Sequence, residues 1–241
     1  MYRFHSILFV MITILVSACS KDAPLNTVKK IQKTEKTTKR YRIPYDNAKK
    51  MPQTVMREVI SPVRKKIQGL LRQIIGSKGT ITIAGKTYVA DCSGMVRGIY
   101  EAIGIDLMQD SHRFPEVKGG VEIIHKSYKA NEWKDVTTIP KVGDLIFFNN
   151  TWDANKNGKW DDPLTHVGIV EGIEEGSNTI SFIHAVHAGI RRYRINLDHP
   201  KDYMYKKRKM NDFLRRRPDW DKDRTKYMSS NLFFSYINIL K

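Results

Sequence analysis

The spacing of apolar residues changes part-way along this chain, and that change limits the fold more than any other feature. Upstream, apolar residues recur at helical intervals. Ser61-Pro62 supplies an N-cap and a favoured first helical residue, Val63, Ile67, Leu70, Leu71 and Ile74 follow, and Gly76 makes a stop. TITIAGKTYVA (80–90) alternates around Gly85 as a hairpin does. A second helix begins at Cys92, with Asp91 as its cap, Met95, Val96, Ile99 and Ile103 on its apolar face and Gly104 at its end; a third is expected near 117–130. From Asp144 onward the apolar residues come in short strand-like runs, over 144–148, 166–172, 179–185, 190–195 and 232–239. Helices first and an antiparallel-looking sheet second give an α+β class.

The opening residues are of another kind. MYRFHSILFVMITILVSACS has a short basic start, an apolar run from Ile7 to Val16 and a small-residue site ending at Cys19. This is the form of a secretory signal, and the run is too short for a comfortable membrane span. Val16-Ser17-Ala18-Cys19 resembles a bacterial lipobox, which implies lipidation of Cys19 and a chain anchored on the periplasmic face of a cell envelope; an ordinary signal peptide with a chance cysteine is the alternative. Ser20 in place of the aspartate that retains enterobacterial lipoproteins at the inner membrane points to the outer one. The chain has two cysteines, so Cys92 is then the one remaining thiol, no intrachain disulfide is available, and the fold must rest on its core.

The formal net charge is +17. In an envelope the matching partners are lipid headgroups and anionic wall or surface polymers; no nucleic-acid-reading motif is present, and that class is set aside. Residues 19–50 form a Lys/Thr-rich stretch without apolar periodicity, read as a flexible tether after a signal peptide over 1–18. The main domain is expected over 51–198. A basic extension over 199–241 carries KKRKMNDFLRRR (206–217) and a final strand that would return to the sheet and fold the basic block into the periphery.

A thiol in the first turn of a helix sits where unpaired N–H groups and the macrodipole favour an anion, so the Cys92 pKa is expected to fall. The same N–H groups can hold an oxyanion, and the missing base must come from elsewhere. His166 opens HVGIVEGI and His184 lies in FIHAVHAGI; on adjacent strands they can meet on one face as base and orienter. His187 points to the other face by strand parity, and His112, His125 and His199 read as core or surface groups.

Asp91-Cys92-Ser93-Gly94-Met95-Val96, Gly143-Asp144-Leu145-Ile146-Phe147-Phe148, His166-Val167-Gly168-Ile169-Val170 and Phe182-Ile183-His184-Ala185 resemble, in order, the NlpC/P60 family, papain-like cysteine peptidases of bacterial cell walls. The resemblance covers roughly residues 55–195. It implies a papain-like fold, Cys92 as nucleophile, His166 as base, His184 as third polar residue, peptidoglycan as partner and no cofactor for catalysis. The implied bond is D-γ-glutamyl–diamino acid in the stem peptide, with an N-acetylmuramoyl-L-alanine amidase cut and a non-catalytic envelope-binding lipoprotein as alternatives. The family's upstream Tyr and Trp-Gly-Gly step is missing from IGSKGTITIAGKTYVA, where only Tyr88 stands nearby. Tyr88, Asp91 and Ser93 are the candidate substrate-binding residues, Asp91 reading first as a helix cap.

DANKNGKWDD (153–162) has the first half of an EF-hand-like calcium loop. Asp153, Asn155 and Asn157 alternate, Gly158 makes the turn, Lys159 offers its carbonyl, and Asp161 and Asp162 follow. Leu164 stands where the bidentate Glu belongs, so Asp162 would have to substitute. A structural Ca²⁺ just ahead of His166 is the expectation; a metal-free Asx/Gly turn is the alternative.

Overall fold

The computed structural model describes residues 61–131, 133–136 and 139–240; the readings on residues 1–18, Cys19 and the tether lie outside the described residues. Helix α1 (Pro62–Ile74) starts on Ser61, whose hydroxyl accepts the Arg64 N–H, and buries Ile67, Leu71 and Ile74. Strands β1 (Thr80–Ile83) and β2 (Lys86–Val89) form the expected hairpin. Its two turn residues, Ala84 and Gly85, both have positive φ, as a tight two-residue hairpin turn requires. Helix α2 (Cys92–Glu101) follows at once, and α3 (Gly120–Ala130) completes the helical half.

The second half is an antiparallel sheet built from β3 (Lys134–Asp135), β4 (Leu145–Phe148), β5 (His166–Glu174), β6 (Thr179–Val186), β7 (Gly189–Ile195) and β10 (Phe233–Asn238). Its order is β3-β10-β4-β5-β6-β7, so β10 enters between β3 and β4. β8 (Met204–Tyr205) and β9 (Arg208–Lys209) make a separate small hairpin, and α4 (Ser229–Leu232) leads into β10. The helix-then-sheet order is the α+β, papain-like arrangement expected from the sequence.

Every residue of β4 is buried, because the sheet is covered on both sides. On one face Leu145, Phe147, Val167, Ile169, Ile183 and Ile237 pack against α1 and α2 through Ile67, Leu71, Met95, Val96 and Ile99. On the other, Ile146, Phe148, Val170, Phe182, Ile195 and Tyr236 pack under Leu214, Leu232 and Phe233. Residues beyond 199 thus supply the cover for the second face, and the basic block is divided by that role. Lys206 and Lys207 sit exposed at the β8–β9 turn, while Met210, Asn211 and Asp212 are buried.

The corner before β4 fixes the two halves to each other. Gly143 has φ +90°, and its N–H donates to the Val170 carbonyl. The Tyr100 hydroxyl of α2 donates to the Gly143 carbonyl. Buried Asp144 accepts from the Lys141 N–H at 2.8 Å and from the Arg64 guanidinium of α1 at 3.0 Å. Burial raises the Asp144 pKa, and those donors oppose the rise.

Candidate active site

The turn Asp91-Cys92-Ser93-Gly94 is shaped residue by residue. Asp91 is extended, and its Oδ1 accepts the Gly94 N–H at 2.7 Å and the Ser93 hydroxyl at 3.0 Å, an N-cap closed twice over. Gly94 must lack a side chain, since a Cβ there would overlap the Val89 carbonyl oxygen at the end of the hairpin. Cys92 is thereby held at the first position of α2. Its thiol faces the backbone N–H of Val167, next in sequence to His166, along with the N–H groups of Cys92 and Ser93.

His166 begins β5 opposite Phe148. Its Nε2 lies 2.8 Å from Nδ1 of His184 on β6, and the two rings stand nearly perpendicular. His184 is fully buried and His166 8% exposed. Gly168 gives the rings their room: a Cβ at that position would lie 2.9 Å from the Ile183 carbonyl and 3.3 Å from the His184 Cβ. Phe148 and Phe182 flank the pair. Tyr193 of β7, which the motif reading did not single out, packs its ring 4.2 Å from that of His184. The alternation of β7 was its only sequence signal.

The protonation pattern follows from this geometry. If His166 is to take a proton at Nδ1, its Nε2–H must donate to His184 Nδ1, which leaves the His184 proton on Nε2. His184 Nε2 is buried without a hydrogen-bond partner. Burial holds the His166 pKa down at about 4, and burial together with His166 keeps that of His184 well below the usual imidazole range. The Cys92 thiol departs from expectation. Burial, and then the Asp91 carboxylate, push it up to about 11, more than the three backbone N–H groups pull it down. Cysteine and histidine therefore rest uncharged.

The remaining residues singled out from the sequence have surroundings of their own. Ser93 is tucked under the start of α3, so close that a Cβ on Gly120 would come within 2.8 Å of its side chain. Tyr88 packs on Gly98, and its hydroxyl donates to Glu101 at the far end of α2. His125 sits among Tyr128, Phe147 and Phe234, and His199 pairs with Asp202. His187, in the turn after β6, is exposed.

The 153–162 loop closes on its own side chains. Asp153 accepts the N–H groups of Asn157 and Gly158; Asn155 and Asn157 donate their amides to Asp161; the Lys159 N–H donates to Asn157 Oδ1. Asp162, 3% exposed, accepts from Ala154 and Asn155 through Oδ1, while its Oδ2 has no hydrogen-bond partner. Among the described residues no three His, Cys, Asp or Glu side chains gather closely enough to hold a metal by themselves. A cation here would rely on amide and carbonyl oxygens beside Asp153 and Asp161.

The family model for NlpC/P60 matches residues 79–210, more than half of the chain. The chain belongs to the NlpC/P60 family. No curated protein matches it. NlpC/P60 proteins are cell-wall peptidases and hydrolases that act on peptidoglycan. The matched span contains the Cys92 turn, both buried histidines and the 153–162 loop, and it ends within the segment that covers the second sheet face.

Proposed function

We propose that this chain is a lipid-anchored cysteine peptidase of the cell envelope that cleaves an amide bond in the peptidoglycan stem peptide. The observation that carries the reading is the buried His166–His184 hydrogen bond at the strand end whose next N–H, that of Val167, faces the Cys92 thiol. A binding module has no use for such a constellation. Its two buried imidazoles cost stability unless they do something.

In the proposed reaction His166 Nδ1 takes the thiol proton as Cys92 attacks the amide carbonyl. The growing charge on His166 strengthens its Nε2–H hydrogen bond to His184. N–H groups at the start of α2 hold the oxyanion. His166 then protonates the leaving amine, and water hydrolyses the thioester with His166 again as base. Because the resting pair is uncharged, the base acts during attack rather than by storing a thiolate.

The favoured bond is D-γ-glutamyl–diamino acid, with the muramoyl-L-alanine amidase cut as the alternative. Lipidation at Cys19 and an outer-membrane, periplasm-facing position belong to the same proposal. Calcium is proposed as a structural ion of the 153–162 loop, outside the chemistry. The test is digestion of purified peptidoglycan by the protein and by Cys92→Ala, with products identified by mass spectrometry. New fragments from the wild type alone support the reading and name the bond. No fragments from folded protein, with calcium present, overturn it in favour of envelope binding.

A further inference from the structure

A cleft of about 590 Å³ opens beside Tyr193, whose ring packs on His184, and its charge is one-sided. Arg215, Arg216, Arg217 and Arg224 line it, with Tyr193 and the turn at His187 on its other side. Arg215 donates to the Asn150 carbonyl and stacks on Trp160. Arg217 donates to the carbonyls of Pro218 and Asp221, and Arg224 lies over the Phe213 ring. These contacts hold three of the four guanidinium groups in place without neutralising them. Among the described residues none of the four makes an ion pair; the nearby acids Asp212 and Asp221 are taken by Lys209 and Lys226. Four arginines gathered in one concavity without ion-pair partners repel one another, and an entering anion relieves that repulsion.

The position of the cleft indicates which anion. Tyr193 is shared, lining the cleft and packing on His184. Val186 and His187, also at the cleft, come two and three residues after His184 along β6 and its turn. A ligand here therefore lies against Tyr193, one ring removed from His184. A γ-glutamyl bond leaves the glutamyl α-carboxylate free, and the diamino acid beyond it carries carboxylate as well, so such a substrate is anionic beside its scissile amide.

We propose that this arginine cleft binds carboxylate groups of the peptide substrate, an inference that rests on the peptidase reading above. The forked guanidinium matches a carboxylate with two parallel hydrogen bonds, which a lysine cannot provide. All four arginines lie beyond the span matched by the family model, while Val186, His187, Ala188 and Tyr193 lie within it.

The experiment is calorimetry with full-length Cys92→Ala, using the tripeptide L-alanyl-γ-D-glutamyl-diaminopimelate and the same peptide with its carboxylates amidated. Arg216 and Arg224 are exposed and make no backbone hydrogen bond that a substitution would break. The double variant Arg216→Gln, Arg224→Gln, checked for an unchanged Tm, is expected to bind the acidic peptide about 10- to 100-fold more weakly. It should bind the amidated peptide as the parent does. Arg216→Lys, Arg224→Lys should fall between. Equal losses for both peptides, or none, overturn the proposal. So does a variant that keeps peptide binding but loses binding to anionic phospholipid vesicles, which would make the cleft a headgroup site. The calorimetric cycle needs no turnover. A flat cycle in an active enzyme defeats the cleft alone, and a full cycle in an inactive protein defeats the peptidase reading alone.

Discussion

Gly168 and His184 face each other across β5 and β6, closely enough that a Cβ on the glycine would lie 3.3 Å from that of the histidine and 2.9 Å from the Ile183 carbonyl. Gly168→Ala must therefore push β6 away or turn the imidazole. The expected cost is about 1–3 kcal/mol of stability, as for other overpacked sites. Activity should fall more steeply than stability accounts for, because the 2.8 Å histidine contact is disturbed. Thermal melting beside kcat for the same variant separates the two, and a variant with normal kcat would show that the histidine spacing is uncritical.

His184→Ala removes the acceptor for His166 Nε2–H while leaving the thiol and its N–H donors in place. A loss of kcat of about 10²- to 10⁴-fold is expected with KM nearly unchanged. A large rise in KM instead would make His184 a substrate-shaping residue.

With His166 at about 4 and Cys92 at about 11, the resting pair stays neutral between those values. The acid limb of kcat/KM should then lie near pH 4 rather than near the ordinary imidazole value. Labelling of Cys92 by iodoacetamide should climb steadily through pH 8–10 as the thiolate fraction grows. Rapid labelling at pH 6 would instead reveal a stored thiolate–imidazolium pair.

Asp91 caps α2 and also raises the pKa of the neighbouring thiol, and two substitutions separate these effects. Asp91→Asn keeps an oxygen for the Gly94 N–H but loses the charge, so alkylation at pH 8 should quicken. Asp91→Ala loses the cap as well and should cost about 1 kcal/mol in denaturant unfolding. If Asp91→Asn labels no faster, the carboxylate charge does not reach the thiol.

Both His125 and His166 are held down to about 4 by burial. The unfolded chain binds protons at these positions near pH 6.5 and the folded one does not, so stability rises with pH across that window. It is fully present above about pH 6.5 and is lost as pH falls towards 4, by up to about 3 kcal/mol for each histidine. Urea melts at pH 7 and pH 4.5 should show the drop. His125→Phe should reduce it.

How much of this was legible in the sequence depended on how local the cause was. The Cys92 turn could be read because its cap, its nucleophile and its space-limited glycine lie within four residues. β4 to β7 could be read because their short apolar runs are set apart by polar and glycine-containing turns in the chain. The thiol's pKa could not, since it is set by burial under elements distant in sequence. Nor could the roles of Ser93 and Tyr88, which depend on where Gly120 and Glu101 come to rest. The arginine run at 215–217 was visible as charge, but its concavity forms only when Tyr193 and Arg224 are brought to it.

The place of β10 has a consequence for how the molecule is made. β4 cannot gain its second neighbour until β10 exists, about eighty-five residues later, and until then its edge of the sheet stays open. A chain still emerging from the ribosome therefore lacks the strand that completes its sheet. Under the proposed export, that delay leaves the sheet incomplete until nearly all of the chain has been made.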